Sequence, residues 1–449
     1  MPNTVQHNER YPDITQSNKL YHRALPLIPS QTQTLAKGPG QYIKGVAPKY
    51  LVRGKGSHVW DADGNEFIDY NMGIGPLSLG YCYPAVDEAI KEQLQNGITF
   101  SMMHPLEVEV AEYINALVPH AEMVRFSKTG ADVTSAAIRL ARAFTGRNKV
   151  LCCGYHGWHD WYISVTDRSK GIPQKIADLT HTFNYNDIDS VIDSIDHDTA
   201  CVILEPIVSE EPKNDFLHLL REICDKNGTL LIFDEMWTGF RLALGGAQEY
   251  FGVKADLITF SKAIANGMPL SVLTGRADVM QLLEKDVFFF TTFGGETLSL
   301  AAAKATLLEM LAHQVPQYIA SQGKKLRTGL DTILQQEDIS FLHCRGLDCR
   351  TMLTIDPTIN NPLALKSLLQ QEFFKRGILW SGFHTLSYSH TDKDIDYTLK
   401  SYREILIYAK RAVQEDIVQS SLCGEVVEPV FRKTSNFHTK PKTETDGKK

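Results

Sequence analysis

The chain has 449 residues, 43% hydrophobic and 22% charged, an ordinary balance for a chain that folds around a sizeable core. Its 46 basic and 53 acidic side chains leave a net charge of −7, which argues against a general electrostatic binder of nucleic acid. No run approaches the roughly 20 apolar residues of a membrane helix, and the opening MPNTVQHNERYPD lacks the apolar stretch of a secretory signal.

Taken in chain order, residues 1–20 are polar and aperiodic and read as a tail. Residues 21–75 form the first segment of a small domain; within them HVWDADGNEFIDY (58–70) reads as a hairpin around an Asp-Gly-Asn turn. From 76 to 315 apolar runs alternate with helical patterns. RFSKTGADVTSAAIRLARAFTGR (125–147) gives a Thr-Gly turn and then a helix with Val133, Ala137, Leu140 and Phe144 on one face, stopped at Gly146. KVLCC (149–153), ACVILE (200–205), TLLIFDE (229–235) and DLITFSK (256–262) read as strands, and FLHLLREICDKNG (216–228) as a helix. Strands without polar alternation, separated by helices, imply a parallel sheet covered on both faces. A long alanine-rich helix follows at 298–313. Residues 316–425 then read as helix, strands and helix, a smaller α+β domain shared with the N-terminal segment, before a polar tail at 430–449. The eight cysteines show no CxxC spacing, so free thiols in a reducing cytoplasm are expected, and no metal site.

Ligands in open α/β sheets bind beyond the carboxyl ends of the strands. Four strand exits carry polar residues there: Tyr155-His156 after VLCC, Glu205 after ACVIL, Asp234-Glu235 after TLLIF and Lys262 after LITFS. Each has a plain alternative as a loop, turn or core residue. Lys262 could instead act as a Schiff-base nucleophile if desolvated. A buried Asp234 could hold an aromatic ring nitrogen protonated. The turn at Thr129-Gly130 opens a helix whose free N–H groups suit a phosphate, and Tyr155 offers a plate for a cofactor ring.

DEMWTGFR followed by GGAQEYFGVKADLITFSKAIANGMPLSVLTG resembles the class III aminotransferases, which are fold-type I pyridoxal-phosphate (PLP) enzymes, and within them the glutamate-1-semialdehyde 2,1-aminomutase branch. The 125–147 segment, GYHGWHDW, HVWDADGNEFIDY and TTFGGETLSLAAAKATL (291–307) resemble the same branch, over roughly residues 25–420. The resemblance implies an α/β fold with a mostly parallel central sheet plus a smaller α+β domain from both chain ends. It implies PLP as cofactor, with Lys262 as the Schiff-base lysine and Asp234 on the pyridine nitrogen. Tyr155 would stack on the ring, and Gly130 and Ala131 would hold the phosphate. Thr292 would reach the phosphate of the neighbouring subunit's cofactor, which implies a homodimer with shared sites. Glu205 and His156 would support the site from behind.

The chain departs from the aminomutase pattern where a substrate pocket is expected. Ile74 stands where a tryptophan precedes Gly-Pro, and His384 where a glutamate follows Phe. IVSEEPKNDF is short and acidic, and Ala131 lacks the usual hydroxyl. Kept cofactor residues beside changed substrate residues lead us to expect transamination from an amino-acid donor to an aldehyde or ketone, with a sugar-like acceptor favoured. The alternatives are an aminomutase of the glutamate-1-semialdehyde type and a non-catalytic protein retaining the fold. No nucleic-acid or membrane partner is expected.

Overall fold

A computed structural model describes residues 11–207 and 210–429. The expected tails at 1–10 and 430–449 lie outside them. The described residues form two compact units, one running from Pro84 to Pro316 and the other combining residues 11–83 with 317–429. The first division therefore falls at 83/84, later than the expected 75/76. Among the described residues, no helix is long and apolar enough to cross a membrane.

The larger unit is built on a seven-stranded sheet. In spatial order its strands are Met123–Ser127, Ser271–Gly275, Leu257–Phe260, Leu230–Asp234, Thr199–Leu204, Lys149–Cys153 and Thr180–Thr182. The middle strands are parallel, because each is followed by a segment long enough to cross back over the sheet. Ser271–Gly275 runs antiparallel to both neighbours. Its link from Phe260 is too short for a parallel crossover. The helix Gly130–Thr145 packs on the sheet through Val133, Ala137 and Leu140, which join Val150, Cys201, Ile232, Leu257 and Leu273 in one apolar cluster. Phe144, expected on the same face, falls outside that cluster. It is 39% exposed, with the Arg276 guanidinium 5.4 Å from its ring centre. Gly146 ends the helix in the left-handed region, as expected.

In the smaller unit the hairpin pairs His58–Asp61 with Glu66–Asp69. Leu51–Lys55 extends it on one side and Ile378–Leu379, parallel, on the other. A second sheet joins Leu342–Leu347, Arg350–Ile355 and Phe383–Thr385. Helices Pro362–Lys375 and Asp392–Gln414 supply apolar faces. The expected tail to residue 20 is corrected here, because Thr15–Ala24 is a helix. Its N-cap position, Ile14, offers no side-chain acceptor, and of the helix amides the Asp13 carboxylate takes only that of Thr15 (3.0 Å). The Asp63 carboxylate in the hairpin turn accepts from the amides of Gln16 (2.5 Å) and Ser17 (2.9 Å), a cap from distant sequence that local composition does not reveal.

A buried charge cluster sits in this unit. His58 lies 3.1 Å by Nε2 from Asp394 Oδ1, and 2.9 Å by Nδ1 from Glu66 Oε1. Burial pulls the His58 value down, but the hydrogen bond and charge of Asp394, with Glu66 behind, outweigh it and leave His58 raised. Burial likewise pushes Asp394 up, yet His58 and the Thr391 amide hold it at about 2. The His58 contribution is therefore full below its unfolded value near ~6.5 and fades as pH rises through the higher folded value. The Asp394 contribution is full above its unfolded value near ~4 and fades as pH falls through about 2. Urea denaturation at a series of pH values should show stability declining from pH ~6.5 upward, and His58→Gln should flatten that decline. An unchanged slope in His58→Gln would mean that the cluster does not set it.

Candidate active site

Because Lys149–Cys153, Thr199–Leu204, Leu230–Asp234 and Leu257–Phe260 are parallel neighbours, their carboxyl ends share one edge of the sheet. Met123–Ser127 is antiparallel to the one antiparallel strand, so it also points to that edge and delivers the Thr129-Gly130 turn there. Asp234 is opposite Thr259 in register, three residues before Lys262. The strand exits singled out in the sequence therefore emerge side by side.

Lys262 opens the short turn Lys262–Ala265 with φ +47°. A non-glycine residue in this region is strained and stays there only where its surroundings impose it. Here Ser261 Oγ donates to Leu270 O at 2.7 Å, and Asn266, at φ +40°, closes the turn.

Asp234 is fully buried. Its Oδ1 accepts from the Met236 amide at 3.1 Å, and its Oδ2 lies 2.8 Å from His156 Nδ1. His156 Nε2 lies 3.1 Å from the Cys153 carbonyl. That carbonyl can only accept, so Nε2 carries a hydrogen. A proton also lies between Nδ1 and Oδ2, since otherwise lone pairs would face each other at 2.8 Å. The imidazole stacks on Trp161, with centroids 5.9 Å apart, and Thr134 Oγ1 donates to the His156 carbonyl at 2.7 Å. His156 is thereby locked to both the sheet edge and the 130–145 helix. No local sequence pattern signals this direct contact with Asp234.

Glu235, next in the chain, faces elsewhere. It accepts from Thr238 Oγ1 (2.7 Å) and from the amides of Ala247 (2.7 Å) and Gln248 (3.1 Å). Burial pushes its carboxyl up to about 7 despite those bonds, and the nearby Asp234 adds to the rise. Glu205 accepts from the Tyr155 amide at 2.6 Å and so fixes the loop that presents the Tyr155 ring. That ring is 38% exposed and meets Tyr162 edge-on at 5.5 Å.

At the helix start Thr129 and Asp132 form a reciprocal cap. The amides of Gly130 and Ala131 have no hydrogen-bond partner among the described residues. A Cβ on Gly130 would come 2.8 Å from Met236 Sδ, so the turn tolerates only glycine without a shift. A Cβ on Gly157 would stand 2.7 Å from the Ala131 methyl, so that loop needs glycine to lie against the helix start. Thr292 lies exposed in the turn before the helix Thr297–Ala312. Glu296 caps that helix and pairs with Lys128 at 2.9 Å.

The smaller unit holds the two residues expected at a substrate pocket. Ile74 is partly buried in a turn and has φ +71°, a left-handed conformation that costs a β-branched residue about 1–2 kcal/mol. His384 corrects the expectation. It is 1% exposed, with Nδ1 on Thr351 Oγ1 (2.9 Å) and Nε2 on Tyr402 OH (2.5 Å). Burial pushes its value down to about 3, so it is a neutral residue of a polar core and presents no open nitrogen. In the IVSEEP segment, Pro206 and Ile207 are anchored by Tyr185 and Trp237, while Val208 and Ser209 lie outside the described residues.

A sequence model of aminotransferase class III matches residues 43–399. A 3-aminobutyryl-CoA aminotransferase of Cloacimonas acidaminovorans (strain Evry) is 32% identical over 89% of this chain and 98% of its own. A glutamate-1-semialdehyde 2,1-aminomutase of Acetivibrio thermocellus is 35% identical over 89% of this chain and 99% of its own. Among solved structures, the FumI protein of Sphingopyxis sp. MTA144, in its PLP internal aldimine form, superposes with a TM-score of 0.84 at 27% identity, covering 93% of this chain and all of that one. With the motifs, the sheet edge and these matches together, the chain belongs to the class III aminotransferases, a PLP-dependent family of fold-type I.

Proposed function

We propose that this enzyme moves an amino group from an amino-acid donor to an aldehyde or ketone acceptor, with Lys262 and Asp234 as its catalytic residues. The observation that carries the reading is the adjacency of those two strand exits, with Asp234 buried and already donor-loaded on Oδ2. The residues present fit PLP. The unpartnered amides of Gly130 and Ala131 open a 16-residue helix and would hold its phosphate. Bound PLP supplies an electron sink for the carbanion left when an α-proton departs. Lys262 would carry that proton on Nζ. Asp234 would keep the ring nitrogen protonated, and His156 would keep Asp234 oriented by donating to it. Tyr155 would present its ring as the stacking plate, with its amide fixed by Glu205.

Thr292 would reach the phosphate held by a second copy of the chain. What supports a homodimer is an exposed apolar surface on the larger unit. Phe100, Met102, Met103 and Val108 lie on one segment, and Phe290 and Phe293 flank Thr292 on the other. Thr297 joins the two segments by hydrogen bonds to the carbonyls of Gly97 and Ile98. Eight free cysteines agree with a reducing cytoplasm. Ile74 would meet the substrate, and its departure from the aminomutase pattern favours transamination. The aminomutase is the second reading, favoured by the 35% identity to an enzyme of that name.

Purified protein should be yellow, and borohydride should fix the cofactor on Lys262. Lys262→Ala should lose the covalent link and turnover while keeping its fold by circular dichroism. Wild-type turnover in Lys262→Ala would remove the assignment. Thr292→Ala should weaken cofactor retention by about 1.5–3 kcal/mol, the scale of a hydrogen bond to a charged group. Mixed dimers of Lys262→Ala with Thr292→Ala chains should regain part of the activity, because one of their two sites has both residues. If such hybrids form from inactive parents and stay inactive, the site is not shared.

A further inference from the structure

The helix Gly130–Thr145 packs one face on the sheet, and Ser135, Ile138, Arg139 and Arg142 form a second stripe along it, at i, i+3, i+4 and i+7. Between this stripe and segment 158–179 lies a cavity of about 430 Å³, wholly within the larger unit. Ile138 and the partly buried Ile176 and Leu179 give it apolar walls, and Trp161 is 7% exposed on its inner side. Residues 158–160 of the GYHGWHDW motif take no part in the reading of the cofactor site. They line this cavity instead.

Two guanidinium groups line the cavity, and neither pairs with a carboxylate among the described residues. Arg142 donates by Nε to Asn148 O (2.8 Å) and Arg139 by Nη1 to Phe288 O (2.6 Å), both backbone carbonyls. Arg142 is partly buried. Burial pulls its value below that of an ordinary arginine, against the opposing effects of Cys201 and Asp198. A desolvated cation without a counterion gains more from an anion than one in water does. The exposed Asp160 is one acid against the two arginines. Beside them Trp158 stays 68% exposed and meets the His159 ring at a right angle, centres 4.6 Å apart. Ser135 Oγ, 2.6 Å from His159 Nδ1 and accepting from Trp161 Nε1 (3.0 Å), fixes both of those rings.

We propose that this cavity is a second ligand site, taking a small aromatic anion whose carboxylate or phosphate meets Arg139 and Arg142 and whose ring lies against Trp158 and the apolar walls. Planar guanidinium groups match carboxylate and phosphate oxygens, and an apolar cavity with a few polar groups at one side suits a ring carrying one charge. The site stands apart from the sheet edge. Arg139 and Arg142 lie about 14 Å and about 18 Å further along the helix than Gly130.

The test is equilibrium dialysis of the holoenzyme with indole-3-acetate as probe, and with indole and acetate as its neutral and ringless halves. The probe should fill one saturable site per chain, about tenfold tighter than either half, and more weakly as salt is raised. Arg139→Met and Arg142→Met should each weaken it by about tenfold, and Trp158→Ala severalfold. Arg139→Lys keeps the charge and should retain part of the affinity, so the Arg139 pair carries the test if Arg142→Met misfolds. The visible cofactor band of Arg139→Met should match that of the unaltered protein. No saturable binding at millimolar probe, binding no tighter than that of indole, or unchanged binding in the arginine variants would overturn the proposal. So would probe that an amino donor displaces and Arg139→Met does not weaken, since it would then sit at the cofactor. A dimer that Trp158→Ala splits into monomers in sedimentation would also overturn it, by showing that a second copy of the chain covers the cavity.

Discussion

A carboxylate without water must be satisfied by the protein or else give up its charge. Asp234, fully buried at the end of an apolar strand, is that constraint in this enzyme. One oxygen takes the Met236 amide and the other faces His156, whose second nitrogen is spent on a backbone carbonyl. Holding His156 fixes the loop that leaves the neighbouring strands' edge, and Thr134 ties the same loop to the helix that would hold phosphate. The parallel order of four strands puts all this on one edge. Remove the Asp234 carboxylate, and the His156 loop and the helix Gly130–Thr145 would lose their common reference.

Much of that edge was legible in the sequence, for a physical reason. A strand buried on both faces is a short apolar run, so its polar exit residue stands out, and parallel strands bring their exits together. Lys262, Asp234, Glu205 and Tyr155 were found that way. What was not legible depends on partners distant in the chain. Asp234 and His156 are separated by two intervening strands' worth of sequence, so no local pattern announces their bond. The helix at Thr15–Ala24 reads as tail because two of its first amides are capped by the distant Asp63 and only one by the nearby Asp13. His384 was read as a pocket residue because a histidine that breaks a family pattern invites that reading, whereas Thr351 and Tyr402 bury it. Phe144 kept the helical period yet left the core, because periodicity does not tell how far a helix extends past its sheet.

The distribution of change is informative. The positions proposed to face the cofactor keep the family's residue types, apart from the hydroxyl missing at Ala131. Of the departures from the aminomutase pattern in the smaller unit, Ile74 lies on a turn at φ +71° and His384 is buried in a polar core. Backbone strain kept in place by surrounding structure is common where a protein positions a group for a task. Relatives of similar identity include both an aminotransferase and aminomutases, so chemistry and not likeness has to separate the two reactions.

The difference lies in whether the amine taken from one substrate is delivered to a second substrate or returned to the first at another carbon. The most direct measurement supplies holoenzyme with glutamate alone and follows the visible band and the released keto acid. Transamination predicts that the band bleaches, that one 2-oxoglutarate per active subunit appears, and that a carbonyl acceptor added later restores the colour and carries away glutamate's nitrogen. The account would be contradicted if no amino donor bleached the band while an amino aldehyde or diamine isomerised with no second substrate present.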